Sequence, residues 1–215
     1  MLDQPLLLMT GYAPFEVFAR NPSFGGLLHA KERGLLDQLP GRVEIAELPV
    51  AFERAAGEFA LLVAQHRPVA AVSFGVHRGG ASRYRDGVFY VERTAKNQDG
   101  NAAKARADNE GIIRAGLPIV PGAPATLRAS FPTDELVARL RAAGFAAEVS
   151  DDAGDYLCNH IFYAAMHSFG ASHPYGFVHI PPTDDVGGTV TIDQMAEAQV
   201  VVATVMLEAV AAIGR

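Results

Sequence analysis

Two short apolar runs, Pro5-Leu-Leu-Leu-Met9 and Val69-Ala-Ala-Val-Ser-Phe74, stop abruptly, at Thr10-Gly11 and at Gly75. They lack the strict alternation of a strand with one wet face, and they are too short for buried helices, so they suit strands covered on both sides. What lies between and beyond them sets the fold. Asn21-Pro22 predicts a helix start, with Asn capping and Pro losing no hydrogen bond at the first helical position, and Leu27, Leu28, Leu35 and Leu36 follow. Val43 to Val50 reads as a strand, and Phe52 to His66 carries Phe52, Ala55, Ala56, Phe59, Ala60 and Val63 on one helical stripe. Val88 to Val91 is a short β-rich run, a helix follows Pro132-Thr133 as far as Gly144, and Ala147 to Ser150 is extended. Tyr156 to Ser168 is an apolar helix, Phe177 to Ile180 a last strand, and Thr191-Ile-Asp-Gln194 a capping box opening a helix that ends near Gly214. This alternation predicts an α/β fold, a single domain over residues 1–215, with an open, twisted, mainly parallel sheet and helices on both faces.

With 215 residues, 49% of them hydrophobic, the chain buries roughly 70% of its unfolded surface and needs no disulfide. A net charge of −6 has the wrong sign for a polyphosphate backbone, so no nucleic acid is expected. The apolar stretch Val200 to Leu207 falls short of the ~18 residues of a membrane span, so no membrane is expected either. A single cysteine, Cys158, and a start without a basic leader point to the cytoplasm. The stretch from Asn97 to Pro124 has no sustained period and is long for a connection, a feature of functional loops.

Reactive groups in open α/β sheets gather at the carboxyl ends of strands, where helix N-termini face the site. Cys158 is placed there. With Asp155 as cap it is the third residue of its helix, where unpaired N–H groups favour a thiolate. A nucleophilic cysteine needs a base, and seven histidines compete. His29, His66 and His167 lie on helices, and His160, two residues from Cys158 on the same helix, points elsewhere. His179 sits inside the apolar strand just before Pro181-Pro182, where an imidazole either faces a site or is a costly burial, and it is the best candidate. Glu92, at the end of Val88 to Val91, is placed to orient it. No HxxxH or CxxC spacing suggests a metal, and Gly75-x-x-x-Gly79-Gly80 lacks the Lys-Ser/Thr of a phosphate loop. No cofactor is expected.

Four segments, in order, resemble the pyroglutamyl-peptidase I family of cysteine exopeptidases. Thr10-Gly-Tyr-Ala-Pro-Phe15 with Asn21-Pro22-Ser23 is similar to its opening strand and loop, and Glu92-Arg-Thr-Ala-Lys-Asn97 to its glutamate block. Ser150-Asp-Asp-Ala-Gly-Asp-Tyr-Leu-Cys-Asn159 resembles its nucleophile block, and Gly176-Phe-Val-His-Ile-Pro181 its histidine block. The resemblance implies a Cys158, His179, Glu92 triad, removal of an N-terminal pyroglutamyl residue from peptides, no cofactor, and an arginine near the oxyanion that aligns with Arg106. Two features depart from it. The family's Gly-Gln-Ala-Gly-Gly-Arg turn is replaced by the longer Gly75 to Gly87, and Glu16-Val17 stands where two glycines are usual.

Tyr12, Phe15, Tyr156 and Leu157 flank the motifs that approach the thiol and predict an apolar slot for the first residue of the peptide, with Asn21 or backbone groups bonding the lactam. Glu16 is the only carboxylate in these walls. The helix from Thr191 carries more apolar residues than one core-facing stripe requires, which predicts a homo-oligomer. From another class, a non-catalytic lactam- or peptide-binding protein on the same fold would fit the altered Gly75 to Gly87 loop.

Overall fold

A computed structural model describes residues 4–15, 19–77, 84–100 and 106–213. Glu16, Val17, Gly79, Gly80 and Gly214, singled out above, lie outside the described residues. In chain order the elements are β1 (Leu6–Tyr12), α1 (Pro22–Glu32), β2 (Arg42–Leu48), α2 (Phe52–His66), β3 (Ala70–Val76), β4 (Phe89–Glu92), β5 (Thr94–Lys96), β6 (Thr126–Arg128), α3 (Thr133–Ala142), β7 (Ala147–Ser150), α4 (Leu157–Ser168), β8 (Tyr175–Ile180) and α5 (Ile192–Ile213).

The main sheet has the order β2-β1-β3-β8-β4-β7. Every adjacent pair is parallel except β4 and β8, which run antiparallel. That single reversal decides the site. It pairs Tyr90 with His179 and Glu92 with Phe177, so Glu92 and His179 become diagonal neighbours on one face of the sheet. Leu7, Met9, Val72, Phe74, Val178 and Ile180 point to the other face, where they pack with residues of α1, α3 and α5. The face bearing Leu8, Tyr12, Ala71, Tyr175 and Phe177 is covered by Phe52 and Phe59 of α2 and by Leu157, Ile161 and Phe162 of α4. Covering on both faces is what the unbroken apolar runs require.

Local signals hold at several helix starts. The Asn21 side chain accepts from the Ser23 N–H with Pro22 in the first turn. Thr191 and Gln194 make the reciprocal capping box, at 3.2 and 2.9 Å. Gly144, just past α3, adopts the left-handed φ of +91° that a side chain resists. At α4 the expectation fails. The cap is Tyr156, whose carbonyl accepts from His160 N–H, while the Asp155 carbonyl turns away to accept from Gly100 N–H at 2.7 Å. Cys158 is therefore the second helical residue rather than the third, still within the turn whose N–H groups lack helical partners.

α5 is long and apolar enough to cross a membrane by length and composition, but Met195, Ala198, Val202, Ala203, Val205, Met206 and Leu207 are buried in the core. Val200, Val201 and Val210 also pack against the chain's own core. The helix's surplus of apolar residues thus has an occupant within the chain and gives no reason for a second subunit. The aperiodic stretch after Asn97 is closed at its base by β5 and β6, a small antiparallel pair that its composition does not announce.

Candidate active site

Cys158 reaches the sheet because the penultimate residue of β3, Gly75, has no side chain. Gly75 pairs with His179 across β3 and β8, and the Cys158 sulfur lies over the backbone there. The structure brings Cys158, His179 and Glu92 together. His179 is 4% exposed and Glu92 fully buried, and the His179 Nδ1–H donates to Glu92 Oε1 at 2.8 Å. Burial alone would disfavour the imidazolium. The Cys158 sulfur, by its charge and a hydrogen bond, and then the Glu92 carboxylate reverse that and lift His179 to about 9. An imidazole bonded on one side to a carboxylate and on the other to a thiol is equipped to hold a thiolate–imidazolium pair.

The lead-in to the nucleophile is tied down on several sides. Asp152 pairs with Lys96 at 2.7 Å and accepts from Gly154 N–H. Asn159 accepts from Lys96 N–H at 2.9 Å and donates to the Lys96 and Gln98 carbonyls, which ties β5 to α4 next to Cys158. His160 does point away from the thiol. Its Nδ1–H donates to buried Asp99, which Arg114 also engages at 2.5 Å, anchoring the long loop to α4.

Of the pocket residues, Tyr12, Leu157 and, partly buried, Phe15, Tyr156 and Cys158 share one apolar cluster. Phe15 stacks on Tyr156 with ring centres 5.6 Å apart, and Phe52 meets the same ring edge-on. Tyr156 donates to the Ala107 carbonyl, and the Arg106 guanidinium lies 4.5 Å over its ring. Asn21 is buried and committed to local structure: its oxygen accepts from Ser23 N–H and Oγ, and its amide donates to the Ala13 carbonyl. The Tyr12 hydroxyl, by contrast, is buried with no hydrogen-bond partner among the described residues.

Two residues at the site escaped the sequence reading. Tyr84 places its hydroxyl 2.9 Å from Glu92 Oε1, 3.0 Å from the Asp152 carbonyl and 3.2 Å from His179 Nδ1. His77 donates from Nε2 to the Val88 carbonyl at 2.8 Å, and burial, with the nearby His179 charge, pulls it down to about 4, so it stays neutral. The rings of His77, Tyr84, Tyr90 and His179 form one packed group. Both lie in or beside the Gly75 to Gly87 loop, where no periodicity points at them. The only signal was an unusual local density of aromatic residues and histidine.

The sequence pattern of the pyroglutamyl peptidase family matches residues 6–214. A pyrrolidone-carboxylate peptidase of Gloeobacter violaceus is 37% identical over 179 residues, covering 81% of this chain and 80% of its own. One from Clavibacter michiganensis subsp. michiganensis is 34% identical over 203 residues, covering 90% of this chain and 89% of its own. Among solved structures, pyrrolidone carboxyl peptidase from Thermus thermophilus superposes with a TM-score of 0.79 at 32% identity, over 93% of this chain and 99% of that one. Pyroglutamyl peptidase I of Bacillus amyloliquefaciens gives 0.83 at 25% identity, over 95% and 98%.

Proposed function

The chain belongs to the pyroglutamyl peptidase family, cysteine exopeptidases that remove an N-terminal pyroglutamyl residue from peptides, and from that premise we propose that Cys158, His179 and Glu92 carry the reaction. The observation that supports this assignment is the buried His179, bonded through Nδ1 to Glu92 and polarised by Cys158.

In this reading the Cys158 thiolate attacks the carbonyl carbon of the pyroglutamyl residue. The carbon–nitrogen bond breaks as the His179 imidazolium gives its proton to the leaving amine, and a pyroglutamyl thioester remains. Water then attacks the thioester, His179 takes its proton, and the free lactam acid and the thiolate are regenerated. Backbone N–H groups in the first turn of α4 are fixed in place to receive the developing oxyanion, with Arg106 nearby on Tyr156 as a second donor. No step calls for a metal or cofactor.

Tyr12, Phe15, Tyr156 and Leu157 form the walls for the lactam ring, and Asn21 shapes the slot by holding the turn after β1. A neutral lactam suits an apolar slot, whereas burying a free ammonium there costs several kcal/mol. Partners are therefore pyroglutamylated peptides rather than nucleic acid or membrane. A thiol nucleophile with no second cysteine suits the reducing cytoplasm. Exposed Ile112, Ile113 and Leu117, on one loop, supply apolar surface for a homo-oligomer, and light scattering above the mass of one chain tests it.

The deciding experiment compares a chromogenic pyroglutamyl amide with the glutaminyl amide, in wild type and Cys158→Ala. A preference of at least ~100-fold for the lactam, about 2.7 kcal/mol, is expected, and it vanishes in the variant. Equal rates in wild type and variant would exclude Cys158 as the nucleophile.

A further inference from the structure

Glu92 is fully buried, yet among the described residues its Oε2 has no hydrogen-bond partner. Both bonds that the structure gives its carboxylate fall on Oε1, one from His179 Nδ1–H and one from the Tyr84 hydroxyl. A buried carboxylate held at one oxygen depends heavily on each of those donors.

Tyr84 is well placed to be the fixed one. It is 8% exposed, and its ring lies 5.0 Å from His77, 4.7 Å from Tyr90 and 5.0 Å from His179. Its hydroxyl also stands 3.0 Å from the Asp152 carbonyl, in the segment that leads into Cys158. One oxygen thus touches the acid on β4, the base on β8 and the nucleophile's lead-in.

We propose that Tyr84 is a positioning residue, which holds the Glu92 carboxylate in line with His179 Nδ1 and ties that pair to the segment carrying Cys158. The proposal rests on the triad reading above and extends it to a residue supplied by the lengthened Gly75 to Gly87 loop. The hydroxyl has a single proton, shared between Glu92 Oε1 and the Asp152 carbonyl. Its oxygen lies 3.2 Å from Nδ1, so it can also accept a share of the imidazole N–H. The hydroxyl touches no reacting atom, and its effect travels through Glu92 and His179. Among the described residues that face it are His77 just after β3, Tyr90 and Glu92 from β4, Asp152 before α4 and His179 from β8.

The test is Tyr84→Phe, which keeps the ring and removes the oxygen, with melting curves, kcat and KM for a pyroglutamyl amide, and the pH profile. Positioning predicts that kcat falls about tenfold with KM unchanged, the range expected for a bond to a charged group. It also predicts that the alkaline limb moves up, because a carboxylate no longer shared with Tyr84 holds the imidazolium more strongly. In a Glu92→Gln background the same change costs less than about twofold, since the charge being positioned is gone. If Glu92→Gln is too slow for that comparison, the alkaline limb decides alone.

A kcat within about twofold of wild type, or an unmoved alkaline limb, overturns the proposal. So does an equal loss in both backgrounds, or loss of the cooperative melt, each marking a merely structural role. Wild type and Cys158→Ala are run alongside. No cleavage by wild type ends the peptidase reading, whereas cleavage that needs Cys158 but ignores Tyr84 ends only this inference.

Discussion

Gly75 lies directly beneath the Cys158 sulfur: a β-carbon there would stand 2.8 Å from Sγ and 2.8 Å from Cζ of Phe177. Phe177 is fully buried and has no room to retreat, whereas Cys158 is partly exposed and is the neighbour that must give. Gly75→Ala is therefore expected to push the sulfur off the strand end and away from His179. Activity should fall by at least about tenfold while stability drops by roughly 1–3 kcal/mol. Kinetics and denaturant unfolding on the same preparation check this, and full activity would place the working sulfur elsewhere.

With the proposed triad, the proton on His179 is expected to set the alkaline edge of activity. Its ordinary value is near 6.5, and with Cys158 and Glu92 beside it the imidazolium persists to about 9. The pair titrates together, so kcat/KM is expected to hold through neutral pH and fall as pH passes about 9. Glu92→Gln removes one of the groups that raise it, so the limb should move down. A limb that stays in place in Glu92→Gln would mean that the carboxylate does not govern this proton.

Removing the stranded hydroxyl of Tyr12 should help the free protein. Burial, then the charge of Cys158, holds its proton on, so it is a donor without an acceptor among the described residues. Tyr12→Phe discards that unmade bond and is expected to raise stability by about 1 kcal/mol, roughly 2–4 °C in Tm. Calorimetry without ligand checks it, and a lower Tm would show that the hydroxyl is bonded after all.

His77 makes stability sensitive to acid. Unfolded, it takes up a proton below about 6.5. Folded, it does so only near 4. The unfolded chain therefore binds more protons across that window, and the share of stability due to neutral His77 is complete above it and lost as pH falls toward 4, at up to about 1.4 kcal/mol per pH unit. Urea unfolding from pH 7 to 4 should show this slope and His77→Gln should flatten it; equal slopes would assign the acid sensitivity to other groups.

Cys158 and His179 were legible because each sits where a hydrophobic pattern ends, and a polar or reactive residue at that edge needs a reason. Glu92 was legible for the same reason, although its full burial was not, because Arg93 beside it turns outward to Asp151 while Glu92 turns in. Tyr84 and His77 were not legible. They reach the site because the Tyr84 ring packs against both His77 and His179, a tertiary contact that no local pattern records. The reversal of β4 is equally silent, since a four-residue run reads the same in either direction. Asn21 misled because one amide can cap a helix or meet a ligand, and spacing does not choose between them.

The proposed nucleophile is the sequence's only cysteine, which has a consequence under oxidative stress. Cys158 is partly exposed, and the thiolate that the proposed reaction uses is also the form that peroxide attacks, giving a sulfenic acid. No second thiol in this sequence can condense with that product and protect it as an internal disulfide. Recovery then depends on a small-molecule thiol that can enter the slot before a second oxidation makes the damage permanent.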